Sequence, residues 1–294
     1  MRLSLSLSLT GGRGAAQDAP VPDLDPDTAA YIAAGQANGG GALEPAVVAA
    51  LDALIVSLKA DPSPAPGVSN WEAIKAACIL AIWPNLEGQL TPLKGPAPEN
   101  VGSFAQADVD RVYGLAGDGL SKRLLSRRNS NSDPRNNSHI AVWVWEQDTS
   151  DVPWFSVIGV GDNQSWAKSF QFRGSGSGPS FGIGTIASRH LNSTAAIIDD
   201  NFAALHGLRA ISRGSSSQFV LHTPSGAAVQ SISSASDPND LEITVFGRMF
   251  TGGVDTATLY PGRIPFYSIG EHVDTVALNN RLNTFFLAVE GALT

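Results

Sequence analysis

One cysteine, two methionines and a charged fraction of 16% are what this 294-residue chain has little of. With a single thiol, no intramolecular disulfide and no thiolate metal cluster can form, and Cys78 lies in the apolar run AIKAACILAIW, where a buried structural role is expected. No stretch reaches the ~18 consecutive apolar residues of a membrane span, which argues against membrane insertion. Nineteen Lys and Arg stand against 27 Asp and Glu, a formal charge of −8 that gives no general pull toward nucleic acid.

What is plentiful is punctuation. Thirty glycines and 18 prolines, with recurring serine and asparagine, suit many short strands joined by turns. Short alternating runs near 121–127, 139–146, 154–160, 167–173, 181–187, 205–212, 218–222, 227–232, 241–250 and 263–269 read as strands. Turn-rich pieces such as GSGSGPS and SDPND separate them. Regularly spaced strands without intervening helices predict a mainly β fold, an antiparallel sandwich.

Helical spacing is confined to the ends. The pattern predicts helices over 27–37, capped by Asp27 or Thr28, and over 44–60, with Val47, Leu51, Leu54 and Leu58 on one face. A third, shorter helix is predicted over 69–83, with Trp71, Ile74 and Cys78 facing one way. At the C terminus DTVALNNRLNTFFLAVEGALT is helical, capped by Asp274 or Thr275. Its stripe of Leu278, Leu282, Phe285 and Val289 suits packing on the chain's own sandwich or, less well over two heptads, a coiled-coil seam. The expected organisation is an arm and linker over 1–27, a helical region over 28–92, and a sandwich ending in a helix over 93–294.

The first residues, MRLSLSLSLTGG, alternate strictly. Leu3, Leu5, Leu7 and Leu9 share one face and Ser4, Ser6 and Ser8 the other, unlike the continuous apolar block of a signal peptide. A lone strand followed by the loose GGRGAAQDAPVPDLDPD has no neighbour in sequence, so it pairs with a distant strand or with another chain.

Several segments together resemble tailed-bacteriophage virion proteins with a concanavalin A-like, laminin-G-type sandwich. They are YIAA at 31–34, WEAIKAACILA at 71–81, LKG at 93–95, YGLAGDGLSKRLLS at 113–126, NSDPRNNSHIAVWV at 131–144 and the closing IPFYSIGEHVDTVALNNRLNTFFLAV. Order and spacing carry the match over roughly residues 28–290. The resemblance implies a non-enzymatic structural protein located in the virion, in a tail fibre, baseplate appendage or host-surface adhesin. A capsid decoration protein of the same fold and a glycan-binding or glycan-cleaving module are the alternatives. Expected partners are other virion subunits, further copies in a homo-oligomer, taken as a trimer, and a host surface glycan. No catalytic residue is carried over.

Candidate chemistry is sparse. WEQDTSD at 145–151 approaches the E-x-D-x-x-E pattern of laminarinase-type glucanases, whose two carboxylates flank the sugar. Glu146 and Asp148 alternate correctly, but Asp151 is a methylene short and sits in a turn, so a polar strand end is the better reading. Histidines 139, 190, 206, 222 and 272 show no metal-ligand spacing, and GDGLSK at 117–122 is too short for a phosphate loop. No cofactor is implied. Calcium is the one ion to weigh, at a sandwich rim, with Asp162, Asn163, Asp237, Asn239 and Asp240 as suppliers or as ordinary turn formers.

Two sets of side chains suit binding. Trp143, Trp145, Trp154 and Trp166 cluster in sequence, as core filling or as a sugar-stacking platform. Lys122, Arg123, Arg127, Arg128 and Arg135 form a basic patch with Asp133 the only acid between 121 and 135. The patch suits anionic glycans, an acidic neighbour or a solvated rim. Last, GRIPFYSIGEH at 262–272 places Ser268, Glu271 and His272 close together, yet alternates as a strand with Gly270 at its hinge. A structural joint is the expected reading, because no nucleophile elbow surrounds the serine.

Overall fold

The structure is a computed structural model and describes residues 23–145, 154–161, 168–173, 185–190, 196–199, 206–231, 237–254 and 259–294; the Leu/Ser arm at 3–9 lies outside them. In chain order the elements begin with helices α1 (Pro26–Ala37) and α2 (Pro45–Ala60), the one-turn α3 (Asn70–Ala73), strand β1 (Ile74–Ile79) and the one-turn α4 (Leu86–Gln89). There follow β2 (Pro92–Lys94), β3 (Glu99–Val101), β4 (Leu115–Ala116), β5 (Arg123–Asn129), β6 (Ser138–Val144), β7 (Trp154–Val160), β8 (Lys168–Arg173), β9 (Thr185–His190) and β10 (Ala196–Asp199). The chain continues through β11 (Gly207–Arg213), β12 (Gln218–Thr223), β13 (Gly226–Ser231), β14 (Glu242–Val245), β15 (Met249–Phe250), β16 (Gly253–Val254), β17 (Arg263–Ile264) and β18 (Phe266–Gly270), and ends in α5 (Thr275–Leu293).

Two sheets form the body. One runs β13-β12-β11-β6-β18-β1-β2, the other β10-β9-β8-β7-β14-β5-β3 with β15 and β16 appended, and β17 pairs with β4 as a small separate ladder. Strand pairing is antiparallel throughout the two main paths, so the expected mainly β, antiparallel architecture with a C-terminal helix is what the chain adopts.

The first sheet is covered on both faces. Ile140, Val142 and Val144 of β6, with Tyr267 and Ile269 of β18, meet Phe155, Val157, Ile158 and Val245 of the second sheet in one core. The alternate residues Ala141, Trp143 and Phe266 join a second core with α1, α2 and α5. Each apolar face of a sheet has to leave water, and here the helices supply the cover for the outer one.

Burial on both sides explains the main misreading. Residues 69–83 form no continuous helix: a capping box between Ser69 and Glu72 closes a single turn, and from Ile74 the chain is the strand β1. A strand buried on both faces reads as an unbroken apolar run and loses the alternation that marks a half-buried one. Ile74–Ile79 and Pro92–Lys94 therefore belong to the sheet, and the helical region over 28–92 is corrected to two helices that end at Ala60, plus single turns. The short strands β2, β3, β4 and β10 also escaped the sequence pattern.

Helix α5 follows expectation. Asp274 Oδ1 accepts from the Val276 and Ala277 N–H groups, and Leu278, Leu282, Phe285 and Val289 are all buried. Its face is spent on α2 and on Trp143, whose ring lies 5.2 Å from Phe286. Helix α1 is capped by Asp25, one residue before Pro26, instead of by Asp27 or Thr28.

Candidate functional site

The exposed aromatic site stands where β6 leaves the sheet. Trp145 follows the last residue of β6 and its N–H donates to the Arg263 carbonyl, 3.0 Å away. Tyr113 comes from a turn in which Asp110 Oδ1 accepts from the Val112 and Tyr113 N–H groups, both at 2.8 Å. Gly114 then adopts φ +86°, and a Cβ there would come within 2.4 Å of the Ile264 carbonyl oxygen. Only glycine takes that conformation in that space without strain. Arg263 Nη1 donates to the Gly114 carbonyl at 3.0 Å and ties the turn to β17. His206 precedes β11, whose first residue pairs with Val144.

These elements bring three rings together. Tyr113 and Trp145 stack with centroids 4.9 Å apart at 30°, and Trp145 and His206 at 5.3 Å and 29°. Tyr113 and Trp145 are half-buried and His206 is exposed. The cluster thus leaves part of three rings in contact with solvent, Trp145 being stacked on two of its neighbours and packed on the helical core, with phenol and imidazole groups at its border. Sequence proximity suggested Trp145; Tyr113 and His206 carry no such signal, being 32 and 61 residues away in the chain.

The other tryptophans separate. Trp143 points into the helical layer and is 2% exposed, so it is core and not part of a platform. Its Nε1 finds no acceptor among the described residues. Trp154 lies on the backbone of β7, but its side chain is outside the described residues, as are Trp166, Glu146, Asp148 and Asp151.

The basic patch is largely neutralised. Lys122 pairs with Asp108, Arg127 with Glu99, Arg128 with Asp133 and Arg135 with Asp237. Arg123 donates to the Ser121 carbonyl at 3.1 Å. Three of the four carboxylates come from outside the 121–135 window, which is why the sequence overstated the cluster. What remains among the described residues is a rim in which four of the five basic side chains are paired with carboxylates.

The segment that looked most catalytic is a joint. Ser268 does not meet His272; its hydroxyl lies 3.1 Å from Nε2 of His139, whose Nδ1 faces the Glu271 carbonyl. A carbonyl only accepts, so Nδ1 carries the proton and Nε2 accepts from Ser268. That is the tautomer a triad uses, yet Ser268 and His139 are both fully buried and no substrate can approach. Burial holds His139 neutral, its pKa pushed down to about 4.

His272 pairs instead with Ser212, Nδ1 to Oγ at 2.7 Å. Ser212 donates to the Val273 carbonyl at 2.9 Å and accepts from the Val273 N–H at 3.0 Å. With its one proton committed there, Ser212 can only accept from His272, the reverse of what a general base requires. Gly270 is not a sharp turn: it closes β18, and a Cβ on it would come within 2.3 Å of the Ala73 carbonyl oxygen.

Cys78 is buried, donates to the Gln89 and Thr91 carbonyls at 3.1 and 3.2 Å, and has its thiol pKa pushed up by desolvation. Among the described residues no group of three His, Cys, Asp or Glu side chains gathers at metal-binding distance. Asp237 pairs with Arg135 and Asn239 accepts from the Leu241 N–H, while Asp162 and Asn163 lie outside the described residues. Among the described residues no helix is long and apolar enough to cross a membrane.

No family model and no curated protein matches the chain in sequence. Among solved structures, the binding domain of botulinum neurotoxin serotype D is 13% identical with a TM-score of 0.47, over 72% of this chain and 51% of that one. A mutant Trypanosoma rangeli sialidase displaying trans-sialidase activity is 9% identical with a TM-score of 0.44, over 85% and 39%. The NanB sialidase of Streptococcus pneumoniae is 10% identical with a TM-score of 0.37, over 51% and 24%. The chain spans about half, or less, of the length of these structures, and likeness at this level carries no inference about ligand or activity.

Proposed function

We propose that the chain is a non-enzymatic structural protein of a tailed-phage particle, of tail fibre, baseplate or appendage type, that binds a host surface glycan through the face around Trp145. The Tyr113–Trp145–His206 stack carries the binding half of this reading. A half-exposed π surface beside hydrogen-bonding groups is the chemistry that recognises the apolar face of a sugar ring. Binding is favoured over hydrolysis because Ser268–His139 is buried and Ser212 accepts from His272, so neither pair supplies an activated serine.

The virion half rests on the sequence resemblance. Three of its segments hold adjacent strands of one sheet, WEAIKAACILA containing β1, NSDPRNNSHIAVWV β6 and the closing segment β18, while YGLAGDGLSKRLLS runs through β4 into β5, outside that sheet.

The test is titration of tryptophan fluorescence with host surface polysaccharide, for the native chain and for Trp145→Ala. The expected outcome is a loss of affinity of about tenfold or more, equivalent to about 1.4 kcal/mol, with an unchanged circular dichroism spectrum. Equal affinity would remove Trp145 as the platform. Mass spectrometry of purified particles tests the virion assignment independently.

A further inference from the structure

Strand β13 ends the seven-stranded sheet formed by the described residues. Among the described residues β13 pairs only with β12, and its residues Ala227, Ala228 and Val229 are exposed, Val229 to 62%. Sheet edges are normally blunted by brevity, proline or charge. The opposite edge, β2, has three residues and begins with Pro92, whereas β13 has six residues, GAAVQS, with neither proline nor charge.

Beside that edge lies an apolar shelf. Leu221 of β12 points into the sandwich core, so Val220 and its partner Val229 face the helical side. There, with Pro64, His272 and Val276, they line adjoining hollows of about 250 and 270 Å³. Val276, at the start of α5, is 48% exposed. A strand added to β13 would put alternate side chains on this shelf, and its other side chains beside Ala228 and Gln230.

We propose that this edge is the acceptor for the Leu/Ser arm, residues 3–9, of a second copy of the chain. The period of two matches the site: Leu3, Leu5, Leu7 and Leu9 cover the valine shelf while Ser4, Ser6 and Ser8 lie on the other face, beside exposed Ala228 and half-buried Gln230.

Reach favours a second copy as the source of the arm. The root of the arm sits near the far edge: Asp27 Oδ2 accepts from Trp71 Nε1 at 3.1 Å, and Lys94 of β2 lies 4.7 Å over the Trp71 ring. Six strand spacings of about 4.8 Å separate β2 from β13, about 29 Å. The thirteen-residue linker Thr10–Pro22 has an r.m.s. span of about 20 Å and a limit of about 45 Å, so reaching β13 of its own chain demands about one and a half times its usual span. This inference does not depend on the glycan reading.

The experiment uses the full chain. Val229→Cys in one tagged copy is coexpressed with Leu3→Cys, Leu5→Cys, Leu7→Cys or Leu9→Cys, in turn, in a differently tagged copy; Cys78 is buried and stays out of the exchange. The expected result is a disulfide-linked pair of unlike copies for at least one arm position, with Val229→Lys or deletion of residues 1–9 lowering the native mass in light scattering. No link between unlike copies, a link formed only inside a single doubly substituted chain, or a mass unchanged by both Val229→Lys and the deletion would each overturn it.

Discussion

The centre and the free edge of the seven-stranded sheet use the same small and branched apolar residues for opposite ends. In β1, β6 and β18, alanine, valine and isoleucine are buried on both faces, one against the second sheet and one against the helices. In β13, alanine and valine face solvent on a strand paired on one side. At the centre, each methyl group stabilises the fold by leaving water; at the edge, the same groups are left for a partner to cover.

The largest test of this contrast is Trp143→Ala. The ring is enclosed between β6 and α5, and its removal leaves a cavity under the helical layer, so a loss of about 3–5 kcal/mol in urea unfolding is expected. A loss below 1 kcal/mol would mean that the helices carry little of the sheet's stability.

Next comes the buried joint between β6 and β18. The folded pKa of His139, about 4, lies below its ordinary 6.5. As pH falls through 6.5 the unfolded chain takes up a proton that the folded chain refuses until about pH 4, so this contribution is complete above 6.5 and is lost between those values. The gap sets the loss at about 3 kcal/mol. Urea midpoints measured from pH 7 to 4 should fall accordingly, and His139→Gln should flatten much of that slope. His222 and His272, also held down by burial, should preserve a smaller one.

The smallest effect belongs to the edge. Val229→Ala removes methyl groups that are mostly in water, and a stability change within about 0.5 kcal/mol is expected in the same assay. A larger loss at a concentration where the chain is a monomer would show that the edge is already covered from within.

Elements with one wet face were legible. Val47, Leu51, Leu54 and Leu58 of α2, the α5 stripe and strands such as β12 each announce themselves by local spacing, and the structure has them nearly where the pattern puts them. The strand β1 was not legible, because burial on both sides removes the polar beats that distinguish a strand from a helix. The candidate site was legible only in Trp145. The partners of the basic residues, Asp108, Glu99 and Asp237, were invisible to a reading confined to one window.

By itself the sequence determined the class of the fold, the two long helices before the sheets, the final helix and the structural fate of Cys78, since periodicity and capping act over a few residues. Only the tertiary structure decided pairings that span the chain. Ser268 bonds to His139, 129 residues away, and not to His272, four residues along. Ser268 pairs with Ala141 on β6, and His139, two residues from Ala141, lies on the same face of the sheet, so register rather than sequence distance chooses its partner.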